Sequence, residues 1–138
     1  MNKAKQPGIN FNNIILKDLN FSRNTDCILK PQLKVDLDAK NNISEDKNNL
    51  NVELTIEISE EENNSFHISC TMVGEFSVSE GTENMDLESF SKVNAVSLMI
   101  PYLREVISSV TTRSGLKPVI LPPINVSALA KNNSNVKL

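Results

Sequence analysis

The sequence predicts an α+β fold: a four-stranded antiparallel sheet meander, covered on one face by a long helix, an extended proline-rich loop and a short second helix. Two observations predict it. Apolar and polar residues alternate through the first half of the chain, whereas from Val93 apolar residues recur every three or four positions. The chain has 138 residues, so we expect one domain over 1–138, with flexible ends at about 1–10 and 132–138.

Three strands follow from alternation with a period of two. The clearest runs from Leu50 to Ile58, and similar runs cover Leu33–Ala39 and Phe66–Val78. Polar connections separate the three runs, which favours a meander of consecutive antiparallel strands. Gly74 falls on the apolar side of the last run, where a glycine indicates a bulge or a close approach.

A weaker first strand is predicted over Asn13–Phe21. Strict alternation places Ile15, Leu19 and Phe21 on one face and Ile14, Leu16 and Asp18 on the other. The resulting sheet has one apolar and one polar face. An antiparallel sheet can leave its polar face to water, but its apolar face requires a cover.

The second half of the chain supplies that cover. Helical spacing predicts a helix over Val93–Val110 that stops at Ser114–Gly115, and Pro101 should kink it or mark where its regular part begins. Closely spaced prolines then predict an extended segment over Lys117–Asn125. A short helix is predicted over Ser127–Lys131.

Composition and charge exclude several classes of protein. The net charge of −3 argues against nucleic acid as a main partner. No stretch is long and apolar enough to span or insert into a bilayer, and residues 1–10 lack the apolar core of a signal peptide, so we expect a cytoplasmic protein. In that compartment Cys27 and Cys70 are expected to be reduced thiols.

The residues of catalysis are scarce. His67 is the single histidine, and no glycine-rich phosphate-binding motif occurs, so we expect no enzymatic activity, no catalytic residue, no cofactor and no metal site. The polar strand face carries Asp36, Asp38, Glu53 and Glu57, which we interpret as a solvated surface rather than an acid/base pair. A small ligand-binding or enzymatic α+β domain remains an alternative, and it would require a polar cluster converging in a pocket.

Six segments carry a resemblance to a known family, in the same order along the chain: Lys17–Phe21, Pro31–Asp38, Met72–Val78, Tyr102–Glu105, Thr112–Gly115 and Leu121–Leu129. They are similar, in turn, to a KDISF first strand, a PxVxLDLD second strand, a crossover segment running through glycine to Phe-Ser, an FPYAR-type helix, an SRG-type helix end, and an LPPVNF-like loop followed by DAL. This ordered set, from about Phe11 to Leu129, resembles the SecB family of protein-export chaperones.

The resemblance implies a holdase that binds unfolded client polypeptides in hydrophobic grooves without ATP, most simply for protein export. It also implies a homotetramer in which protomers pair through their sheets and dimers pair through their long helices. By position, the groove residues would be Met72, Val73, Phe76, Val78, Ile120, Leu121, Ile124, Val126 and Leu129. For each of them, ordinary core packing remains the alternative.

The chain departs from the family on its outer sheet face, where acidic residues dock the SecA motor. Asp18 matches one docking position, whereas Ser22 and Ser69 replace two others. A substitute docking face would comprise Asp18, Asp36, Asp38, Glu53 and Glu57. We therefore expect weak or no binding of SecA, and a SecB-like chaperone dedicated to one client, such as an antitoxin of a toxin–antitoxin system, is the alternative.

Overall fold

The computed structural model of the protein describes residues 8–26, 33–60, 66–78, 90–91, 93–121 and 135–137. Its strands are β1 (Ile9–Arg23), β2 (Leu33–Ile43), β3 (Asn49–Glu60), β4 (Phe66–Val78) and β5 (Asn135–Lys137), and its long helix is α1 (Asn94–Arg113). None of the helices within these ranges is long and apolar enough to cross a membrane.

The four predicted strands form one antiparallel sheet, as expected, together with the short β5. The strand order is β1-β4-β3-β2-β5. The meander is confined to β2, β3 and β4, because β1 lies beside β4 rather than beside β2. Three consecutive strands, β2, β3 and β4, are neighbours, and the first strand lies beside the last of them, which is a Greek-key arrangement. Short connections favour neighbouring pairs, but they do not determine which free edge β1 joins.

The predicted faces of β1 were wrong between Ile14 and Leu19. Leu16 lies opposite Met72, and the register then shifts so that Asp18 lies opposite Thr71. Lys17 is the extra residue of this β-bulge, and strict alternation cannot anticipate an inserted residue. Since cross-strand partners share a face, the core side of β1 carries Ile14, Leu16, Leu19 and Phe21, and the outer side carries Ile15 and Asp18.

Both ends of the chain contribute to the sheet. Ile9 and Asn10 pair with the end of β4, and Asn135–Lys137 pairs with Lys34–Asp36 of β2. Residues 9–10 and 135–137, which fall within the ends predicted to be flexible, are thus strand residues.

The long helix is confirmed, and it begins at Asn94 and ends at Arg113. Pro101 lies inside it and is exposed, so it does not mark the helix start. The buried side of α1 carries Ala95, Val96, Met99, Ile100, Leu103, Ile107 and Thr111. This side packs against β3 and β4, as the helical spacing of apolar residues indicates.

Gly74 is the point of closest approach between α1 and the sheet. A Cβ atom at this position would lie 2.8 Å from the Sδ atom of Met99 and 3.0 Å from Phe76. The absence of a side chain at position 74 therefore allows α1 to pack closely against β4. Of the two predicted reasons for this glycine, the close approach is confirmed, and the register of β4 continues through Gly74 without a bulge.

The segment after α1 completes the cover as far as it is described. Val119 and Leu121 are buried in the core, in agreement with the predicted extended loop. The predicted short helix over 127–131 lies outside the described residues.

Candidate functional site

The predicted groove residues of β4 divide between two faces of the sheet. Met72 and Phe76 are buried on the core side, and Val78 is half-buried on the same side. Val73 points to the outer face, because it pairs with Glu53 and Ile15 there. Met72, Phe76 and Val78 therefore lie on the side of the sheet that α1 covers, and Val73 lies on the opposite side.

An aromatic cluster surrounds Phe76. Its ring stacks on Phe11 at a centroid distance of 4.7 Å and meets Phe90 edge-on at 5.6 Å. Phe11 in turn meets Tyr102 of α1 edge-on at 5.8 Å. Such pairs contribute about 0.5–1.5 kcal/mol beyond their buried area, so the cluster fixes the start of β1 against the helix.

Sequence reasoning missed three members of this cluster. Phe11, Phe90 and Tyr102 were not predicted as site residues, although only 4% of the chain is aromatic and each ring is therefore conspicuous. Phe90 is held near the sheet by its neighbour Ser91, whose hydroxyl accepts a hydrogen bond from Nδ2 of Asn41. Tyr102 is more than a third exposed, so the cluster extends from the core to the surface.

The apolar segment after α1 alternates between core and solvent. Val119 and Leu121 are 6% and 2% exposed, whereas Ile120 between them is 69% exposed. Of the predicted groove residues in this segment, Leu121 is thus a core residue and Ile120 is presented to solvent. Ile124, Val126 and Leu129 lie outside the described residues.

Exposed apolar side chains concentrate on β1, α1 and this segment. Among the described residues, the large hydrophobic side chains that remain exposed are Ile15, Leu16, Leu19, Leu98, Tyr102 and Ile120. Leu16 and Leu19 lie on the core side of the sheet but on its edge strand. Leu98 and Tyr102 are four residues apart on α1 and so lie side by side on its surface, and adjacent exposed apolar side chains of this kind can form a site of interaction with other polypeptides.

The outer face of the sheet is organised in rows of cross-strand neighbours. One row places Asp36, Glu57 and Ser69 side by side, and the next places Asp38 and Asp18 at its two ends. Between those two carboxylates, Thr55 and Thr71 are joined by a hydroxyl hydrogen bond of 2.9 Å. Four of the five predicted docking residues therefore lie in adjacent rows, with no lysine among the partners that the register assigns to them.

Glu53 differs from the other four carboxylates. Nζ of Lys17 donates a hydrogen bond of 2.7 Å to its Oε1 atom, and Lys40 lies directly opposite on β2. The hydrogen bond from Lys17, aided by the charges of both lysines, lowers the pKa of Glu53. Its charge is therefore offset locally, and the acidic patch of this face comprises Asp18, Asp36, Asp38 and Glu57.

The two serines that replace acidic docking positions lie on the same face as this acidic patch. Ser69 is opposite Glu57 and Asn20, and Ser22 is opposite His67. In β1, Ser22 and Asp18 are on one face with Asn20 between them. The predicted docking positions are thus on one face of β1 and β4.

Cys70 lies on the core side of β4 and is fully buried. Burial raises the pKa of its thiol to about 11, and the nearby charge of Asp18 contributes in the same direction. A thiol that stays protonated in an apolar site is a small core side chain rather than a nucleophile. Within the described residues, His, Cys, Asp and Glu form no group of three that could hold a metal ion.

The chain is similar to known proteins over almost its whole length. Residues 2–136 match the family described as SecB, preprotein translocase subunit. An uncharacterised protein of Methanocaldococcus jannaschii is 32% identical over 136 residues, with 94% of this chain and 86% of that protein covered. The protein-export protein SecB of Thiobacillus denitrificans is 26% identical, with 94% of this chain and 88% of that protein covered.

A solved structure shares the fold. A Mycobacterium tuberculosis SecB-like chaperone, solved in complex with a ChAD peptide from the HigA1 antitoxin, superposes with a TM-score of 0.71 at 14% identity. The similarity covers 85% of this chain and 88% of that chain. The match to the family spans nearly the whole sequence, and the fold is that of a SecB-like chaperone: the chain belongs to the SecB family.

Proposed function

We propose that the protein is an ATP-independent holdase that binds unfolded polypeptides in protein export. The observation that carries the proposal is the apolar surface of β1, α1 and the segment around Ile120, in a chain of the SecB family. The family consists of chaperones rather than of a class of enzymes, so no catalytic residue is proposed. A cytoplasmic location, before translocation, fits this role.

Burial of apolar surface explains how such a site would select its clients. Each Å² of apolar client surface removed from water contributes roughly 25 cal/mol, with no requirement for a particular sequence. Folded proteins bury their hydrophobic side chains, whereas unfolded segments expose them. Ile120, Tyr102 and Leu98 offer such a segment apolar contacts on the described surface.

The function is tested by the suppression of aggregation of a denatured protein without nucleotide. We expect suppression at a few-fold molar excess, and Ile120→Ser should weaken it, because the most exposed of these apolar side chains is lost. Lys117→Ser is the matched control, since it alters an exposed residue of the same segment without removing apolar surface. A wild-type protein that leaves aggregation unchanged at this excess would rule out the proposal.

We also propose a homotetramer. Leu16 and Leu19 lie exposed on the edge strand β1, and Leu98 lies exposed on α1, so both elements through which the family pairs its protomers carry uncovered apolar surface. Light scattering should give the mass of four chains at micromolar concentration. A stable monomer at that concentration would contradict the assembly while leaving the holdase activity open to its own test.

The identity of the client divides the proposal into two branches. General export would require docking to SecA, which we propose to be weak because of Ser22 and Ser69. A dedicated antitoxin client is the second candidate, and it is favoured by the SecB-like chaperone that shares this fold and was solved with an antitoxin peptide. Polypeptides bound to the protein can be captured from the host and identified. Many secretory precursors among them would indicate general export, whereas a single antitoxin would indicate a dedicated client.

A further inference from the structure

The hydroxyl of Thr111 joins the end of α1 to the segment that follows it. Thr111 is fully buried, and its Oγ1 atom donates a hydrogen bond of 2.9 Å to the carbonyl oxygen of Ile107. The same oxygen accepts a hydrogen bond of 2.9 Å from the backbone N–H of Val119. One hydroxyl can do both, because it has one hydrogen to donate and lone pairs to accept.

The turn between these two residues is fixed by its own backbone. Gly115 has a φ of +83°, and its N–H and that of Leu116 donate to the carbonyl oxygens of Thr112 and Thr111. This is the Schellman motif, which ends a helix and reverses the chain. It returns the chain toward α1, so that Val119 reaches the hydroxyl of Thr111.

The hydrogen bond at Val119 defines which side chains of the segment face solvent. Pro118 has no N–H to donate, and it is the N–H of the next residue, Val119, that donates to Thr111. Successive side chains of an extended segment point to opposite sides. With Val119 held by Thr111, Val119 and Leu121 are buried and Ile120 is 69% exposed. A slip of one residue would bury Ile120 and expose its neighbours.

We infer that Thr111 is a positioning residue of the client site, whose hydroxyl holds the segment in the register that presents Ile120. This inference rests on the proposed function, in which Ile120 contacts the client. Thr111 itself is buried and touches no client. It acts through Ile120 alone.

The test compares Thr111→Val, which has nearly the same shape but no hydroxyl, with Thr111→Ser, which keeps the hydroxyl. Loss of one partner of a buried hydrogen bond is expected to weaken the affinity for a permanently unfolded model protein by about tenfold in Thr111→Val. Thr111→Ser should bind within about twofold of wild type, because the hydroxyl still accepts from Val119. The comparison therefore separates the effect of the hydroxyl from that of the side chain's shape.

Non-additivity identifies the residue through which Thr111 acts. In the Ile120→Ser background, Thr111→Val should have no further effect on affinity, because the side chain that Thr111 positions is already gone. If Thr111→Val weakens binding equally in both backgrounds, or if Thr111→Ser is as weak as Thr111→Val, the inference is overturned.

A second measurement does not depend on client binding, so a failure of the proposed function can be recognised separately. A cysteine introduced as Ile120→Cys, together with Cys27→Ser so that the buried Cys70 is the one native thiol left, should be alkylated rapidly. Adding Thr111→Val should slow this reaction by several-fold, because the segment is no longer held with position 120 outward. An unchanged rate would overturn the positioning role whether or not the protein binds unfolded polypeptides.

Discussion

Gly74 shows how one residue determines the spacing of two layers. The missing Cβ atom leaves room for Met99, whose Sδ atom would lie 2.8 Å from it. Both neighbours, Met99 and Phe76, are themselves buried in the core, so neither has open space into which to move freely. The contact between α1 and β4 therefore depends on the absence of a side chain.

Gly74→Ala should destabilise the fold. An extra methyl group in a closely packed core costs about 1–3 kcal/mol, and urea denaturation would measure the loss. Ser69→Ala, on the outer face of the same strand, is the control and should stay within about 0.5 kcal/mol of wild type. A Gly74→Ala protein as stable as this control would show that Met99 moves aside at little cost.

The C-terminus of α1 is the element in which backbone conformation matters most. Gly115 adopts a φ of +83°, which L-residues with a side chain rarely adopt. Nη1 of Arg23 also donates a hydrogen bond of 2.8 Å to the carbonyl oxygen of Ser114, so the end of β1 is tied to this turn. The helix end, the first strand and the segment carrying Ile120 therefore meet at one place.

Gly115→Ala is expected to lower the free energy of unfolding by about 1–2 kcal/mol, because a Cβ atom in the left-handed region meets the following carbonyl oxygen. Gly115→Asn should cost less, since asparagine tolerates this conformation better than alanine does. Thermal unfolding of the two variants gives the comparison. Equal losses for the two would point to steric crowding at position 115 instead of backbone strain.

The elements differ in how far the sequence predicts them. The alternation in β2, β3 and β4 and the helical spacing of α1 are strong local signals, and the structure confirms all four elements. The faces of β1 were wrong because the bulge at Lys17 inserts one residue, and its partner strand is set by a pairing between distant residues. Neither feature leaves a local pattern.

The site was harder to predict for a related reason. The run from Val119 to Leu121 is uniformly apolar, so the sequence has no contrast that would show Ile120 as the exposed residue. Phe11, Phe90 and Tyr102 come together from three separate stretches of the chain, and only the fold places them beside Phe76. The acidic residues of β2 and β3 alternate clearly with apolar ones, and their shared outer face was correctly predicted.

At the scale of the whole molecule, charge is distributed unevenly over the outer face of the sheet. The acidic patch of Asp18, Asp36, Asp38 and Glu57 is interrupted at Ser69, which lies between Glu57 and Asn20. Opposite charges across an interface raise the rate and the specificity of association. A basic partner would therefore find no carboxylate at position 69, between Glu57 and Asn20.

Ser22→Glu with Ser69→Glu should strengthen the binding of the host's SecA tail by about tenfold or more, since each close charge pair can contribute about a kcal/mol. Calorimetry at low and high salt would measure the affinity and its electrostatic part. Ser22→Gln with Ser69→Gln adds side chains of the same size without charge, and this control should bind as wild type does. If the glutamates give no gain over the glutamines, the docking face is assigned to the wrong residues.

The order of the strands also affects how the chain can fold. Ile9 pairs with Val78 and Arg23 pairs with Phe66, so β1 is synthesised first but cannot enter the sheet until β4 has been made. Closing so long a loop is slow compared with forming the hairpins of β2, β3 and β4. Until β4 is available, the apolar side chains of β1 lack the partners that they have in the folded sheet. Each new copy of this protein therefore passes through the chemical state that a holdase recognises.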